Sequence, residues 1–219
     1  MVVLKSKKHV FWEALFLVVI VFVAGIMGGL WIEGNRVSDM NTYFLESEAT
    51  LLDGLALSDL ISTGDYSCEI LKKSNVDLAN KIYGEARILE NLEEAGLLTE
   101  NMGSMHTKYD TLRTFLWKNN FDILDKCGDY HLVVYLYEYE SADLGKKATQ
   151  SVWSKILMDL KNEYGENVVL IPIASDMGVV SLDLITSDLG VQKYPAVVID
   201  NKFIVYDLES VDELKGYFE

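Results

Sequence analysis

The hydrophobic positions of this chain form three different patterns, and the first is a continuous apolar run. From Val10 to Ile32 the sequence carries a single charge, at Glu13. A helix rises about 1.5 Å per residue, so this run is long enough to cross a hydrocarbon layer of about 30 Å. It is also longer than the apolar region of a secretory signal, typically about 7–15 residues. The pattern predicts a transmembrane helix over residues 10–32 that serves as an uncleaved signal anchor.

Small residues in this run leave two further hypotheses open. Ala24, Gly25, Gly28 and Gly29 would suit a signal peptidase, so a cleaved signal is the alternative to an anchor. Gly25 and Gly29 also form one G-x-x-x-G spacing, which lets two membrane helices approach closely. A homodimer through this pair is therefore a hypothesis as well.

The charges on either side of the run predict its orientation. Lys5, Lys7 and Lys8 precede it, whereas an acidic chain follows Glu33. Because basic flanks tend to stay in the cytoplasm, we expect residues 1–9 to be cytoplasmic and everything from residue 33 to be extracytoplasmic. The expected location is the cell membrane, crossed once.

The second pattern, over residues 33–128, has the three-four spacing of helices. We expect the segment 36–61 to continue the membrane helix as a stalk, until "STGD" at 62–65 ends it. Two helical stripes follow, and a turn at 95–100, with a C-cap at Gly96 and an N-cap at Thr99, folds them into a hairpin. The stripes comprise Leu71, Asn75, Leu78, Ile82, Ala86 and Leu89, then Met102, Met105, Tyr109, Leu112, Leu116, Asn119 and Ile123.

The two cysteines lie equally far from that turn, Cys68 before the first stripe and Cys127 after the second. Residues equidistant from the turn of an antiparallel pair lie side by side, and thiols outside the cell tend to be oxidised. The sequence predicts a disulfide between Cys68 and Cys127. Two unpaired buried thiols are the alternative.

The third pattern, over residues 129–219, alternates strands and helices in the order βαβαββα. "HLVVYLYEY" and "NVVLIPIAS" read as strands separated by a helix, and "AVVIDNKFIVYD" as two strands joined by a tight turn at Asp200. The closing helix begins with Ser210 and Glu213 in capping-box spacing. The first two strands should pair in parallel through the intervening helix.

This order of elements resembles the thioredoxin fold. The stretch "LGVQKYPAVVIDNK" looks like the segment of that family in which a cis-proline precedes the third core strand. The resemblance implies a cis Tyr194–Pro195 bond in a loop that holds extended polypeptide by main-chain hydrogen bonds. It covers residues 131–219.

The redox motif of that family is missing. A CxxC belongs just after the first strand, where a helix start lowers the thiol pKa. Here Ser141, Ala142, Leu144 or Gly145 occupy the cysteine positions, depending on register, and none can form a thiolate. We therefore expect a non-catalytic module that binds polypeptide or assembles a complex. A thiol-disulfide oxidoreductase that uses Cys68 and Cys127 is the alternative.

The net charge and the absence of common binding motifs further narrow the classes of possible partner. The net charge of −15 disfavours nucleic acid and anionic headgroups. The three histidines are scattered without metal-ligand spacing, and the sequence has no Gly-rich phosphate loop. We expect no metal and no cofactor. The expected partners are the membrane that the chain spans and a protein.

Overall fold

The computed structural model describes residues 7–94, 102–128 and 130–218. The chain divides into two compact units, one up to Ala49 and one from Thr50. It is mostly helical, with one small mixed sheet of four strands. The predicted turn at 95–100 and the basic flank at Lys5 lie outside the described residues.

Helix α1 runs from Lys7 to Thr63. Its stretch Val10–Ile32 has a mean hydropathy of 2.7, and none of it is buried inside the molecule. By length and composition this stretch can cross a membrane, in agreement with the sequence; its orientation stays a prediction. An added Cβ at Gly25 or Gly29 would meet no atom within 4 Å, so this face of the helix is open. The homodimer also stays a prediction.

The end of α1 belongs to the second unit and packs against two further helices. Helix α2 is Cys68–Glu94 and helix α3 is Met102–Lys126. A Cβ added at Gly54 would lie 3.8 Å from the Leu78 side chain, and Lys118 Nζ donates to Ser58 Oγ at 2.8 Å. Helix α1 ends at Thr63, inside the "STGD" segment that was predicted to end it.

The seam between α2 and α3 is antiparallel and mainly apolar. Its buried residues include Leu71, Leu78, Ile82 and Leu89 of α2 and Met105, Leu112, Leu116 and Ile123 of α3. A buried polar network interrupts it: Asn75 Nδ2 donates to Asn120 Oδ1 at 3.0 Å and to Tyr130 Oη at 2.7 Å. Tyr130 Oη in turn donates to Asn120 Oδ1 at 2.7 Å. Since buried amides are costly unless they are paired, this network fixes the register of the two helices.

The sheet contains β1 (His131–Tyr137), β2 (Val168–Ala174), β3 (Ala196–Ile199) and β4 (Phe203–Val205) in the spatial order β2-β1-β3-β4. Strands β1 and β2 are parallel, and the other neighbours are antiparallel. Helix α4 (Leu144–Tyr164) joins β1 to β2, α5 (Val180–Leu189) joins β2 to β3, and α6 (Val211–Lys215) follows β4. The order of elements predicted from residue 131 onward is therefore found.

Local chemistry accounts for several of these boundaries. Pro172 lies in β2, an edge strand, which is where a sheet tolerates a residue without an N–H. Asp200 and Asn201 have φ of 48° and 56°, the left-handed conformation of a tight hairpin turn. Ser210 and Glu213 form the predicted capping box at the start of α6.

Helices pack against both faces of the sheet. On one face Trp153, Leu157 and Leu160 of α4 cluster with Val133 and Val197. On the other side α3 contacts β1, β2 and α5. Helix α3 thus packs against the sheet as well as against α2, and the predicted domain boundary at 128/129 falls inside the second unit.

Candidate functional site

Three loops meet at one edge of the sheet. Residue Tyr137 at the end of β1 lies opposite Ala174 at the end of β2, and Leu136 lies opposite Ala196 at the start of β3. The loops 138–143, 175–179 and 190–195 therefore leave the sheet at the same place. We call this place the three-loop edge. It contains both segments that the sequence selected, residues 141–145 and Tyr194–Pro195.

The loop that precedes β3 is held by short-range hydrogen bonds. Gly190 has φ of 79° and caps α5, and Val191 N donates to Thr186 O at 2.9 Å. Gln192 N donates to the Tyr206 hydroxyl at 3.0 Å. The Tyr194–Pro195 bond is cis, Pro195 is buried and Tyr194 is half-buried.

The loop that follows β1 is held from two sides. The carboxylate of Asp176 accepts the backbone N–H groups of Tyr139 and Glu140, each at 2.8 Å. The Gln150 side chain accepts from Glu138 N at 3.1 Å and donates to Glu138 O at 2.9 Å. These contacts tie 138–143 to 175–179 and to α4, so the backbone at the three-loop edge is ordered in advance of any ligand.

The predicted cysteine-equivalent positions lie at the start of α4. Asp143 is the N-cap, and its carboxylate accepts from Gly145 N at 2.8 Å. Ser141 is buried, whereas Ala142, Leu144 and Gly145 are exposed. None of the four has a thiol, so this helix start offers backbone and apolar surface but no nucleophilic sulfur.

Two bulky apolar side chains stand exposed beside these loops. Leu144 is the first residue of α4 and Val180 is the first residue of α5, and each is 81% exposed. One turn further along α5, Leu184 is exposed too. Such side chains are normally withdrawn from water, so their exposure where two of the loops end makes this surface suited to apolar contacts.

Sequence reasoning missed a charged cluster where α3 reaches the same edge. Asp110 is 1% exposed and accepts from Ala174 N at 3.2 Å and from Arg113 Nη1 at 3.4 Å. Its second oxygen has no partner among the described residues. The Arg113 guanidinium lies 3.8 Å from the centroid of the Tyr109 ring. Asp110 and Trp117 belong to a second buried face of α3. In the sequence, the signal for this face was their spacing of two helical turns, which places both residues on the same side of the helix.

Burial sets the electrostatics of this cluster. It raises the pKa of Asp110 to about 6, because loss of water disfavours the charged carboxylate more than the positive charge of Arg113 favours it. Burial likewise raises the pKa of Tyr109 to about 12, and raises the pKa of Tyr137. Asp110 is too enclosed to contact a ligand. Its effect on the three-loop edge is to hold the end of β2 in place through the hydrogen bond from Ala174 N.

A small cavity of about 330 Å³ lies against this cluster. The rings of Tyr135 and Tyr137, with centroids 5.5 Å apart, line it together with Arg113 and Pro172. Among the residues that the structure describes, no group of three or more His, Cys, Asp or Glu side chains is arranged to hold a metal ion.

The two cysteines lie elsewhere in the fold. Cys68 is the first residue of α2 and Cys127 directly follows α3, and their Cα atoms are 5.7 Å apart with the sulfurs at disulfide-bonding distance. The structure therefore brings together the predicted pair. It lies near the start of β1, at the opposite end of the strand from the three-loop edge.

Comparison of the chain with protein-family models, with curated proteins and with solved structures finds no match.

Proposed function

We propose that this chain is a single-pass membrane protein whose second unit is a thioredoxin-like module on the extracytoplasmic side. In this proposal the module binds an extended polypeptide at the three-loop edge and has no redox activity there. The order of elements and the mixed sheet support the assignment of the fold. The basic N-terminal flank supports the orientation.

One observation carries the binding function: exposed Leu144 and Val180 stand beside loops whose backbone is already fixed by hydrogen bonds. A pre-ordered surface loses little conformational entropy on binding. The free energy gained by burying apolar area is therefore not offset by the cost of ordering the loops. Covering a leucine or valine side chain contributes about 1.5–3 kcal/mol. Two such anchors are enough for a specific but moderate affinity.

The proposed ligand is an extended polypeptide, because the edge places the ordered backbone of three loops beside separate apolar anchors. Extended chains bind by main-chain hydrogen bonds and place alternate side chains in apolar contacts. No thiol is present between residues 141 and 145, so the bound chain would be held without covalent exchange.

The test is binding of the full-length protein, in nanodiscs of neutral lipid, to an array of twelve-residue peptides. Peptides that bind are then titrated against Leu144→Asp and Val180→Asp. Each variant should weaken binding about tenfold or more, since a charge replaces an apolar anchor. Met158→Asp is the matched control, because Met158 is an exposed apolar residue farther along α4. Equal losses in all three variants, or no binding peptide at all, would contradict the proposal.

One observation favours the alternative, a thiol-disulfide oxidoreductase. Cys68 is the first residue of α2, and a helix N-terminus lowers the pKa of a thiol that is released there. Reduction of insulin by dithiothreitol distinguishes the two functions. The binding proposal expects no acceleration by the protein, whereas acceleration that disappears in Cys68→Ser would establish the enzyme.

A further inference from the structure

An open cleft of about 610 Å³ lies at the end of the sheet opposite the three-loop edge. It is bounded by the end of α3, the start of β1, the β3–β4 turn and residues 216–218. Most of its large side chains are aromatic: Phe121, Tyr130, Phe203, Tyr217 and Phe218. We call it the aromatic cleft.

Pairs of contacting rings form a wall of the cleft. The centroids of Phe203 and Tyr217 are 5.2 Å apart, and Phe218 stacks on His131 with centroids 4.3 Å apart. Phe203 is nevertheless 43% exposed, on an edge strand of only three residues. Part of its side chain is therefore available to a ligand.

Two carboxylates, of Asp125 and Asp200, and one ammonium group, of Lys202, also line the cleft. Asp200 is held in place, since it accepts from Leu132 N at 2.7 Å and lies 2.9 Å from His131 Nδ1. Asp125 is exposed in the last turn of α3. A negative charge there is unfavourable for the helix, whose C-terminus is already the negative end of its dipole. A cation bound in the cleft would compensate this charge.

We propose that the aromatic cleft binds the side chain of an arginine from a basic polypeptide. A guanidinium ion is planar, stacks on aromatic rings and pairs with carboxylates, so it matches both features of the wall. The net charge of −15 draws a basic partner toward the protein. This site is separate from the three-loop edge, and the inference does not depend on the function proposed for that edge.

The test uses the full-length protein in nanodiscs of neutral lipid and a fluorescein-labelled, nine-residue Gly/Ser peptide with three arginines. A twin peptide replaces each arginine by citrulline, which keeps the shape and removes the charge. Fluorescence anisotropy should show that the arginine peptide binds. The affinity of the citrulline twin should be lower by about tenfold or more. Equal binding of the twins, or no binding of either at millimolar protein, would overturn the proposal.

Variants then locate the bound peptide. Asp125→Asn and Phe203→Leu should each weaken binding about threefold or more, the scale of one cation–π or partly exposed charge contact. Asp159→Asn, which removes an exposed carboxylate from α4, should leave the affinity unchanged. If Asp159→Asn weakens binding as much as Asp125→Asn, general attraction to an acidic surface explains the result and the site is wrong. Val180→Asp should also leave this binding unchanged, which separates the cleft from the three-loop edge.

Discussion

Replacing the buried carboxylate at the end of β2 should make the protein more stable at neutral pH. In Asp110→Asn the side chain keeps an oxygen that can accept the Ala174 N–H, but it loses the charge. Burial raises the pKa of Asp110 from 3.8 to about 6, with the attraction of Arg113 already included. The folded protein therefore holds this proton more tightly than the unfolded chain does.

The sign and the size of the effect follow from this difference in pKa. The contribution of Asp110 to the stability of the wild type is highest below pH 4, falls as the pH rises from about 4 to about 6, and then stays constant. At about 1.4 kcal/mol for each tenfold change, the loss is on the order of 3 kcal/mol at pH 7. Asp110→Asn should recover most of that loss at pH 7 and show almost no advantage at pH 4.

The assay is urea unfolding of the full chain in detergent, followed by tryptophan fluorescence. Trp117 and Trp153 are 0% exposed within the second unit, so their emission reports its unfolding. Asp159→Asn supplies a surface control at each pH. Asp110→Ala should be less stable than Asp110→Asn at both pH values, because it removes the acceptor of the Ala174 N–H. An Asn variant that is less stable than wild type at pH 7, or whose advantage is the same at pH 4, would refute the argument.

Three further predictions concern the hairpin and the membrane segment. Cys68→Ser should lower the free energy of unfolding by about 2–5 kcal/mol. In non-reducing mass spectrometry of the wild type, peptides containing Cys68 and Cys127 should be linked, and two freely alkylated thiols would exclude the bond. Asn75→Ala should cost about 1–3 kcal/mol in urea unfolding because it leaves Asn120 short of a partner, whereas Asn162→Ala, an exposed change on α4, should cost little. Protease added to right-side-out vesicles should digest the chain after residue 33, and complete protection until lysis would reverse the predicted orientation.

The succession of elements was accessible from the sequence because each depends on local chemistry. Uniform apolarity predicts the membrane-spanning stretch Val10–Ile32, and the capping box predicts that α6 begins after Ser210. Equal distance from a turn predicts the pairing of the two cysteines. Each of these signals lies within a few residues or follows from one simple pairing. They identify elements and contacts without the rest of the fold.

The second face of α3 was not accessible in the same way. The stripe through Leu112 and Leu116 predicted one seam, against α2, and left Asp110 and Trp117 as apparent surface positions. Both are buried because α3 also packs against the sheet, and Trp117 Nε1 donates to Asn201 Oδ1 at 2.7 Å across 84 residues of sequence. The exposure of Leu144 and Val180 was equally hidden, since an apolar residue at a helix start is expected to be buried until the packing is known.

The position of Pro172 has a consequence for crowding at a membrane. Copies tethered to one bilayer are concentrated in two dimensions, and open sheet edges under such conditions are templates for chain-to-chain strand pairing. On one edge of this sheet the strand contains Pro172, which supplies no N–H to an incoming strand; on the other, β4 is only three residues long. Both features disfavour a continuous intermolecular sheet among copies that the proposed membrane anchor would bring close together.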